Sequence, residues 1–286
     1  MAIEKERIDV LLVKQGLFDS REQAKRAVMA GDVLGKNEER LDKPGVKIPV
    51  DTKLHLKGNV MPYVSRGGLK LAKALKSFGI SVASKTVLDI GSSTGGFTDV
   101  MLQNGAKMSY ALDVGTNQLV WKLRTDSRVH VMENTNFRYS KPADFSDGLP
   151  DFASIDVSFI SLTKVLLPVK NLLTENGQIL PPLKNILKPE GEVVALIKPQ
   201  FEAGKENVGK HGIVRDSKVH NEVINKVIGF AIDSGFSVLG LDFSPIKGGE
   251  GNVEFLIHLK STEKPSINPN VSAKEVQDRA YKNLNN

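Results

Sequence analysis

Thr86-Val87-Leu88-Asp89-Ile90-Gly91-Ser92-Ser93-Thr94-Gly95-Gly96-Phe97-Thr98-Asp99 is the stretch that decides how this chain folds. Residues 86–90 form an apolar run with the length of a buried strand. Gly91 ends it, and the glycines at 95 and 96 open a stretch that continues as helix. Strand, glycine turn and helix in that order read as the first βα unit of a parallel sheet, with a ligand approaching the backbone at the turn. The glycine spacing is selective. A dinucleotide fingerprint needs G-x-G-x-x-G, whereas this loop has G-x-x-x-G-G. No phosphate-binding lysine follows, which excludes a P-loop. Asp89 interrupts an apolar run, so its carboxylate needs a partner inside the protein.

Outward from this loop, toward the C-terminus, apolar strands alternate with helical stretches: Ser109–Asp113, Arg128–Met132, Phe152–Asp156 and Val193–Ile197. The alternation predicts an α/β fold, a Rossmann-like sheet with helices on both faces. Ser237–Phe243 and Val253–Leu259 are separated by Pro245, Gly248, Gly249 and Gly251, which predicts an antiparallel pair and a mostly parallel sheet with one antiparallel strand. In open α/β sheets ligands sit outside the carboxyl ends of the strands. Asp113 ends the second strand, where a carboxylate can hold a ribose diol. Asn134 and Asn136 follow the third, Asp156 ends the fourth and Lys198 follows the fifth. Glu254 begins the last strand and reaches the same edge if that strand runs antiparallel. Lys70, in Ser65-Arg66-Gly67-Gly68-Leu69-Lys70-Leu71, lies on a helix just before the sheet.

Toward the N-terminus the pattern is different. Ile8, Leu11 and Leu12 share a helix face, Ser20 and Gln23 have capping-box spacing, and Gly31 follows the helix they open. Short strand-like pieces follow at 32–34 and 52–56, with breaks at Lys43-Pro44-Gly45 and Ile48-Pro49. The expected organisation is a small α+β module at 1–60, a linker at 58–62, a catalytic domain at 61–262, and a polar tail at 263–286 with a short helix after Ser272.

Composition sets limits. The chain has 286 residues, a formal charge of +6 and no cysteine, which excludes disulfides and cysteine-based metal sites. The five histidines have no ligand spacing, so no metal is expected. Neither a signal peptide nor a spanning segment is visible, which predicts a cytoplasmic protein without a membrane partner.

The string Asp89-x-Gly91-x-x-x-Gly95-Gly96 resembles the first motif of S-adenosylmethionine methyltransferases. Lys70, Asp156, Lys198 and Glu254, in that order around this loop, resemble the tetrad of FtsJ-type ribose 2′-O-methyltransferases. Longer strings, Val64–Leu71, Ser93–Asp99, Asp156–Leu162 and Ile197–Glu202, resemble the TlyA family, labelled hemolysins but similar to ribosomal-RNA methyltransferases. The N-terminal module resembles the S-four RNA-binding domain through Arg7–Leu12, Ser20–Val28 and Gly31. The resemblance implies S-adenosylmethionine bound by Asp89, Gly91, Ser92, Ser93, Thr94, Gly95, Gly96, Phe97, Asp113, Asn134, Asn136 and Asp156. It implies ribosomal RNA or ribosomal subunits as partner, with methyl transfer to a cytidine ribose. Arg7, Arg21, Lys25, Arg26 and Arg66 are the expected RNA contacts, with Lys73 and Lys76 extending the track and the loop 204–212 as a substrate lid.

The chemistry suits these residues. A ribose hydroxyl is a poor nucleophile and loses its proton as the methyl bond forms. Lys198 is expected to take that proton or to stabilise the developing alkoxide. A base lysine needs a lowered pKa; Lys70 would lower it by like-charge repulsion while Asp156 and Glu254 act oppositely, and sequence leaves the sign open. Competing readings are a membrane-lytic hemolysin, a non-catalytic RNA- or ribosome-binding protein with a methyltransferase fold, and a methyltransferase for proteins or small molecules.

Overall fold

The computed structural model describes residues 4–18, 20–36, 39–57, 61–170, 174–175, 178–179, 186–188 and 190–284. The chain divides into two compact units, Met1–Pro62 and Tyr63–Asn286. Most of the expected linker, residues 58–60, lies outside the described residues.

In the first unit, β1 (Lys5–Arg7) leads into α1 (Ile8–Lys14) and α2 (Arg21–Ala30), followed by β2 (Val33–Leu34), β3 (Arg40–Leu41), β4 (Lys47–Pro49) and β5 (His55–Leu56). The Ser20 hydroxyl accepts the Gln23 N–H at 3.3 Å and caps α2, and Gly31 closes the helix in the left-handed region. Ile8, Leu11 and Leu12 of α1 pack with Ala24 and Val28 of α2, Val33 and Leu54. The strands form an antiparallel β1–β4 pair and a three-stranded sheet of order β3-β2-β5. Ile48-Pro49, expected as a break, belongs to β4. Pro49 ends a strand with a single partner, a position where a missing N–H costs no ladder bond.

The second unit begins with α3 (Gly68–Phe78), then β6 (Thr86–Ile90), α4 (Gly96–Gln103), β7 (Met108–Leu112), α5 (Trp121–Arg124), β8 (Val129–Met132), β9 (Phe152–Ile155) and α6 (Leu162–Lys170). The short pair β10 (Thr174–Glu175) and β11 (Gln178–Ile179) precedes β12 (Glu192–Ile197), α7 (Pro199–Glu202), α8 (Ser217–Asp233), β13 (Phe236–Phe243), β14 (Phe255–Ser261) and α9 (Ala273–Leu284). The main sheet has seven strands in the order β13-β14-β12-β9-β6-β7-β8. β14 runs antiparallel to both its neighbours, and the pairs from β12 to β8 are parallel. The chain steps outward from β6 through β7 to β8 and then returns to β9 on the other side of β6. That places a topological switch point between β6 and β9, where the following loops diverge and open a crevice.

Strands β6 and β9 are buried along their whole length, as expected for a sheet covered on both faces. In α3, Leu71, Ala74 and Leu75 at helical spacing face the core, and Lys70 is buried on the same side. The C-terminal stretch differs from the expected polar tail. Ala273, Val276, Gln277 and Ala280 of α9 form a narrow buried stripe, and the first, second and fourth join the core against α8 and β13. Gln277 Nε2 donates to the Ser217 carbonyl at 2.8 Å, and Tyr281 meets His220 Nδ1 at 2.6 Å. A stripe one side chain wide leaves the helix polar in composition, so its buried face is hard to see in the sequence. The loop expected as a lid consists of two short turns, Lys205–Asn207 and Lys210–Gly212, and Asn252 Nδ2 donates to the Gly212 carbonyl at 2.9 Å.

Candidate active site

Asp156 is the first residue after β9 and Lys198 the first after β12, neighbouring parallel strands that end at one edge. Ile197 pairs with Phe255 across the antiparallel ladder, which brings Glu254 level with Lys198. The first turns of α3 supply Lys70. The four side chains meet. Lys70 Nζ lies 2.7 Å from Glu254 Oε2 and 3.5 Å from Asp156 Oδ2, and Lys198 Nζ lies 2.6 Å from Asp156 Oδ1. Lys198 Nζ also donates to Ser158 Oγ at 3.1 Å. Lys70 and Lys198 are each 8% exposed and Glu254 2%, so charges that water would otherwise solvate are satisfied by one another. Burial alone would lower the Lys70 pKa, but attraction to Asp156 and Glu254 outweighs it and raises the pKa above the ordinary lysine value.

Beside this cluster a cavity of about 880 Å³ occupies the switch point. Gly91, Ser93, Asp113 and Asn136 line one side; Asp156, Ser158, Phe159, Lys164 and Phe201 line the other. Gly91 has φ +85°, and a Cβ there would lie 2.5 Å from the Asp156 carbonyl, so two crevice loops approach closely only because this residue has no side chain. Asp113 accepts the Ser93 N–H at 2.8 Å and the Gly115 N–H at 2.7 Å, which fixes its carboxylate at the wall with further lone pairs to offer a diol. Glu133 accepts the N–H groups of Asn117, Gln118 and Leu119 and pairs with Arg124 at 2.7 Å. The Arg124 bond and these amides hold its carboxyl down at about 2, and they shape the loop that carries Gln118 onto the cavity.

Several residues expected to touch a cofactor serve the loop from behind. Asp89 is fully buried and accepts from the Thr98 N–H (2.9 Å), the Thr98 hydroxyl (2.7 Å) and the Ser154 hydroxyl (3.2 Å). Burial pushes its pKa up to about 7 against those hydrogen bonds. Phe97 packs in the core with Leu71 and Val100. A Cβ on Gly96 would lie 2.4 Å from Ser65 Oγ and 2.9 Å from the Gly68 nitrogen, so this glycine lets α4 approach the start of α3. Gly95 turns the chain at φ +95° against Leu119 and Leu123. Ser92 is buried, and Thr94 and Asn134 are exposed; none of the three lines the cavity. Of the glycine-loop residues singled out in the sequence, Gly91 and Ser93 line the cavity, a distinction the sequence pattern does not make.

Other residues emerge only from the structure. Ser158 holds Lys198, and Glu202 accepts from Ser161 and Leu162. Both stand in strings already singled out, yet neither has a spacing that announces a partner. Phe159 is 92% exposed with φ +64°, a conformation costing on the order of 1–3 kcal/mol in a bulky residue, and its ring lies 5.3 Å from that of Phe201.

Of the expected RNA contacts, Lys25, Arg26 and Arg66 are exposed. Arg7 and Arg21 converge on buried Asp9 at 2.9 and 3.1 Å, and Arg7 above all holds the Asp9 carboxyl down at about 2. Their side chains are still 41% and 60% exposed. Lys73, expected on the track with Lys76, instead donates to the Phe243 carbonyl at 2.6 Å, lies over the Phe243 ring and pairs with Asp242. Among the described residues no group of three acidic or histidine side chains is arranged to hold a metal, and no helix is long and apolar enough to cross a membrane.

Residues 63–261, the segment carrying sheet, cavity and tetrad, match the FtsJ-like methyltransferase family. The chain belongs to that family. Within it the chain groups with the TlyA proteins. It is 36% identical over 282 residues to the 16S/23S rRNA (cytidine-2′-O)-methyltransferase TlyA of Mycobacterium tuberculosis, covering 96% of each chain. It is 60% identical over 259 residues to a Bacillus subtilis chain named as an rRNA methyltransferase, YqxC, covering 91% of this chain and 87% of that one. A solved structure carrying a hemolysin name, from Streptococcus thermophilus, superposes with a TM-score of 0.74 at 59% identity, covering 99% of this chain and 98% of that one.

Proposed function

We propose that this FtsJ-like methyltransferase transfers a methyl group from S-adenosylmethionine to the 2′-oxygen of a ribose, a cytidine's, in ribosomal RNA. The observation that carries the reading is the place of Asp156, which lines the cavity and at the same time pairs with both lysines. The cavity suits the methyl donor: Asp113 is positioned for a ribose diol, Gly91 leaves the backbone bare, and Asn136 and Gln118 offer amides. When bound, the donor supplies an electrophilic methyl on a sulfonium. Lys198, held by Asp156 and Ser158, is the group assigned to the 2′-hydroxyl, taking its proton as the new bond forms. Lys70, pinned by Glu254, stays cationic and stabilises negative charge on the oxygen. Asp156 pairs electrostatically with both lysines and holds their ammonium groups on the same carboxylate.

Phe159, exposed beside the cavity, offers a face on which an unstacked base can rest. Arg7, Arg21, Lys25 and Arg26 of the first unit, and Arg66 of the second, are assigned to RNA phosphates, the first unit serving as an S-four-like RNA-binding module. Ribosomal RNA or a ribosomal subunit as substrate places the protein in the cytoplasm. A lytic role, suggested by the hemolysin name of a similar structure, has no observation in its favour here.

The test is methyl transfer from labelled donor to ribosomal RNA, naked and in subunits, with nucleosides separated. Label in 2′-O-methylcytidine, lost in Lys198→Ala, supports the reading. Label in a base, or full activity in that variant, rejects the tetrad mechanism.

A further inference from the structure

The loops that carry Asp156 and Lys198 are joined by a buried carboxylate that the tetrad does not include. Glu202 ends α7, one turn after Lys198, and is 6% exposed. Its Oε1 accepts the Leu162 N–H at 2.5 Å and its Oε2 accepts the Ser161 hydroxyl at 2.6 Å. Ser161 in turn accepts the Thr163 N–H at 3.2 Å, so the pair anchors the start of α6. On the other side, Lys226 of α8 donates to the Glu202 carbonyl at 3.3 Å.

Between Asp156 and Ser161 the backbone has little else to hold it. Among the described residues, 157–160 make no main-chain hydrogen bond. The segment includes Phe159 at φ +64°, a strained conformation that persists only when its surroundings impose it. Its ends are imposed. Asp156 donates its N–H to the Ile90 carbonyl at 3.0 Å, and Glu202 grips Ser161 and Leu162. The links close a ring: Lys198 through α7 to Glu202, Glu202 to Ser161, back along the strained segment to Ser158, and from Ser158 Oγ to Lys198 Nζ at 3.1 Å.

We infer that Glu202 is a positioning residue for methyl transfer, bracing residues 157–161 so that Ser158 meets Lys198 and Phe159 projects beside the cavity. It does not line the cavity and acts through Ser161 and Leu162. Without it the strained segment relaxes, Ser158 leaves Lys198, and the lysine loses one of the two groups that aim it. The inference rests on the function proposed above for Lys198.

The experiment compares Glu202→Ala, Glu202→Gln and Ser161→Ala in the full-length chain. Glu202→Ala is expected to lower kcat on ribosomal RNA roughly 10–100-fold, the loss that about 1 Å of misplacement at a reacting centre brings, with S-adenosylhomocysteine affinity within about twofold of wild type. Glu202→Gln keeps an oxygen for the Leu162 N–H and presents an amide that the Ser161 hydroxyl can accept, so it recovers most of the rate. Ser161→Ala lowers kcat less, and its effect is not additive with Glu202→Ala. Amide exchange of residues 157–163 rises in Glu202→Ala. Wild-type kcat in Glu202→Ala overturns the inference, as do rate, cofactor affinity and melting temperature falling in step in every variant. If Glu202→Ala does not fold, an unchanged kcat in Ser161→Ala overturns it. A wild-type protein that methylates no ribosomal RNA sinks the proposed function instead; the brace is then decided by exchange alone, and unaltered exchange at Leu162 overturns it.

Discussion

Lys198 and Asp89 show how differently two charged residues a few strands apart are used. Lys198 is held at 2.6 Å by Asp156 and at 3.1 Å by Ser158, beside the cavity wall. Lys198→Ala is expected to reduce kcat by about 10²-fold or more, the usual contribution of a positioned proton acceptor, while isothermal titration finds S-adenosylhomocysteine binding nearly unchanged. Asp89 reports through stability. Its carboxyl is raised from 3.8 to about 7 in the folded chain. The folded state therefore binds a proton that the unfolded state has released, and stability falls as pH rises between those two values. The slope is at most about 1.4 kcal/mol per pH unit. Asp89→Asn, which keeps an oxygen for Thr98, should flatten the fall in unfolding free energy between pH 5 and 7 measured by urea titration. An unaltered pH profile would mean that Asp89 does not carry it.

The turn between β6 and α4 and the C-terminal helix α9 are the elements on which site and core depend. At Gly91 a methyl group would meet the Asp156 carbonyl at 2.5 Å in a backbone conformation that already disfavours a side chain. Gly91→Ala is expected to destabilise the protein by roughly 1–3 kcal/mol and to weaken donor binding, because the strain falls on the two loops bordering the cavity. Thermal melting and titration with S-adenosylhomocysteine check both effects. Removing α9 by truncation after Ser272 uncovers the faces of α8 and β13 that Val276 and Ala280 fill, and deprives His220 of Tyr281. A loss of at least about 3 kcal/mol is expected, measured by chemical denaturation. A truncated chain as stable as the full one would show that the helix is not part of the core.

Across the whole molecule, the formal charge is +6, and the described cations differ in whether a protein partner already holds them. Lys25 and Arg26 are exposed on α2, while Lys73 is engaged by Phe243 and Asp242. Replacing Lys25 and Arg26 together with alanine is expected to weaken RNA binding and to reduce the salt slope of log K by about 0.7–0.9 for each phosphate that is no longer neutralised. Lys73→Ala should leave that slope unchanged and lower the melting temperature. Filter binding across a salt series separates the two; a slope equal to wild type in the Lys25/Arg26 variant would remove these residues from the interface.

Much of this protein was written in its sequence. The apolar run 86–90, the glycine loop and the alternation that follows determine a parallel sheet, because buried strands and helices announce themselves by composition and period. The same rule places Asp113, Asp156 and Lys198 at one edge, since parallel strands share a direction. Packing decided what local pattern does not encode. Which loop residues face the cavity depended on what lay beneath them, so Asp89, Gly96 and Phe97 turned inward to Thr98, Ser65 and the core. The partners of Lys73, the buried stripe of α9 and the grip of Glu202 on Ser161 join residues far apart in the chain. Such pairings have no period, and only the folded chain brings them within reach.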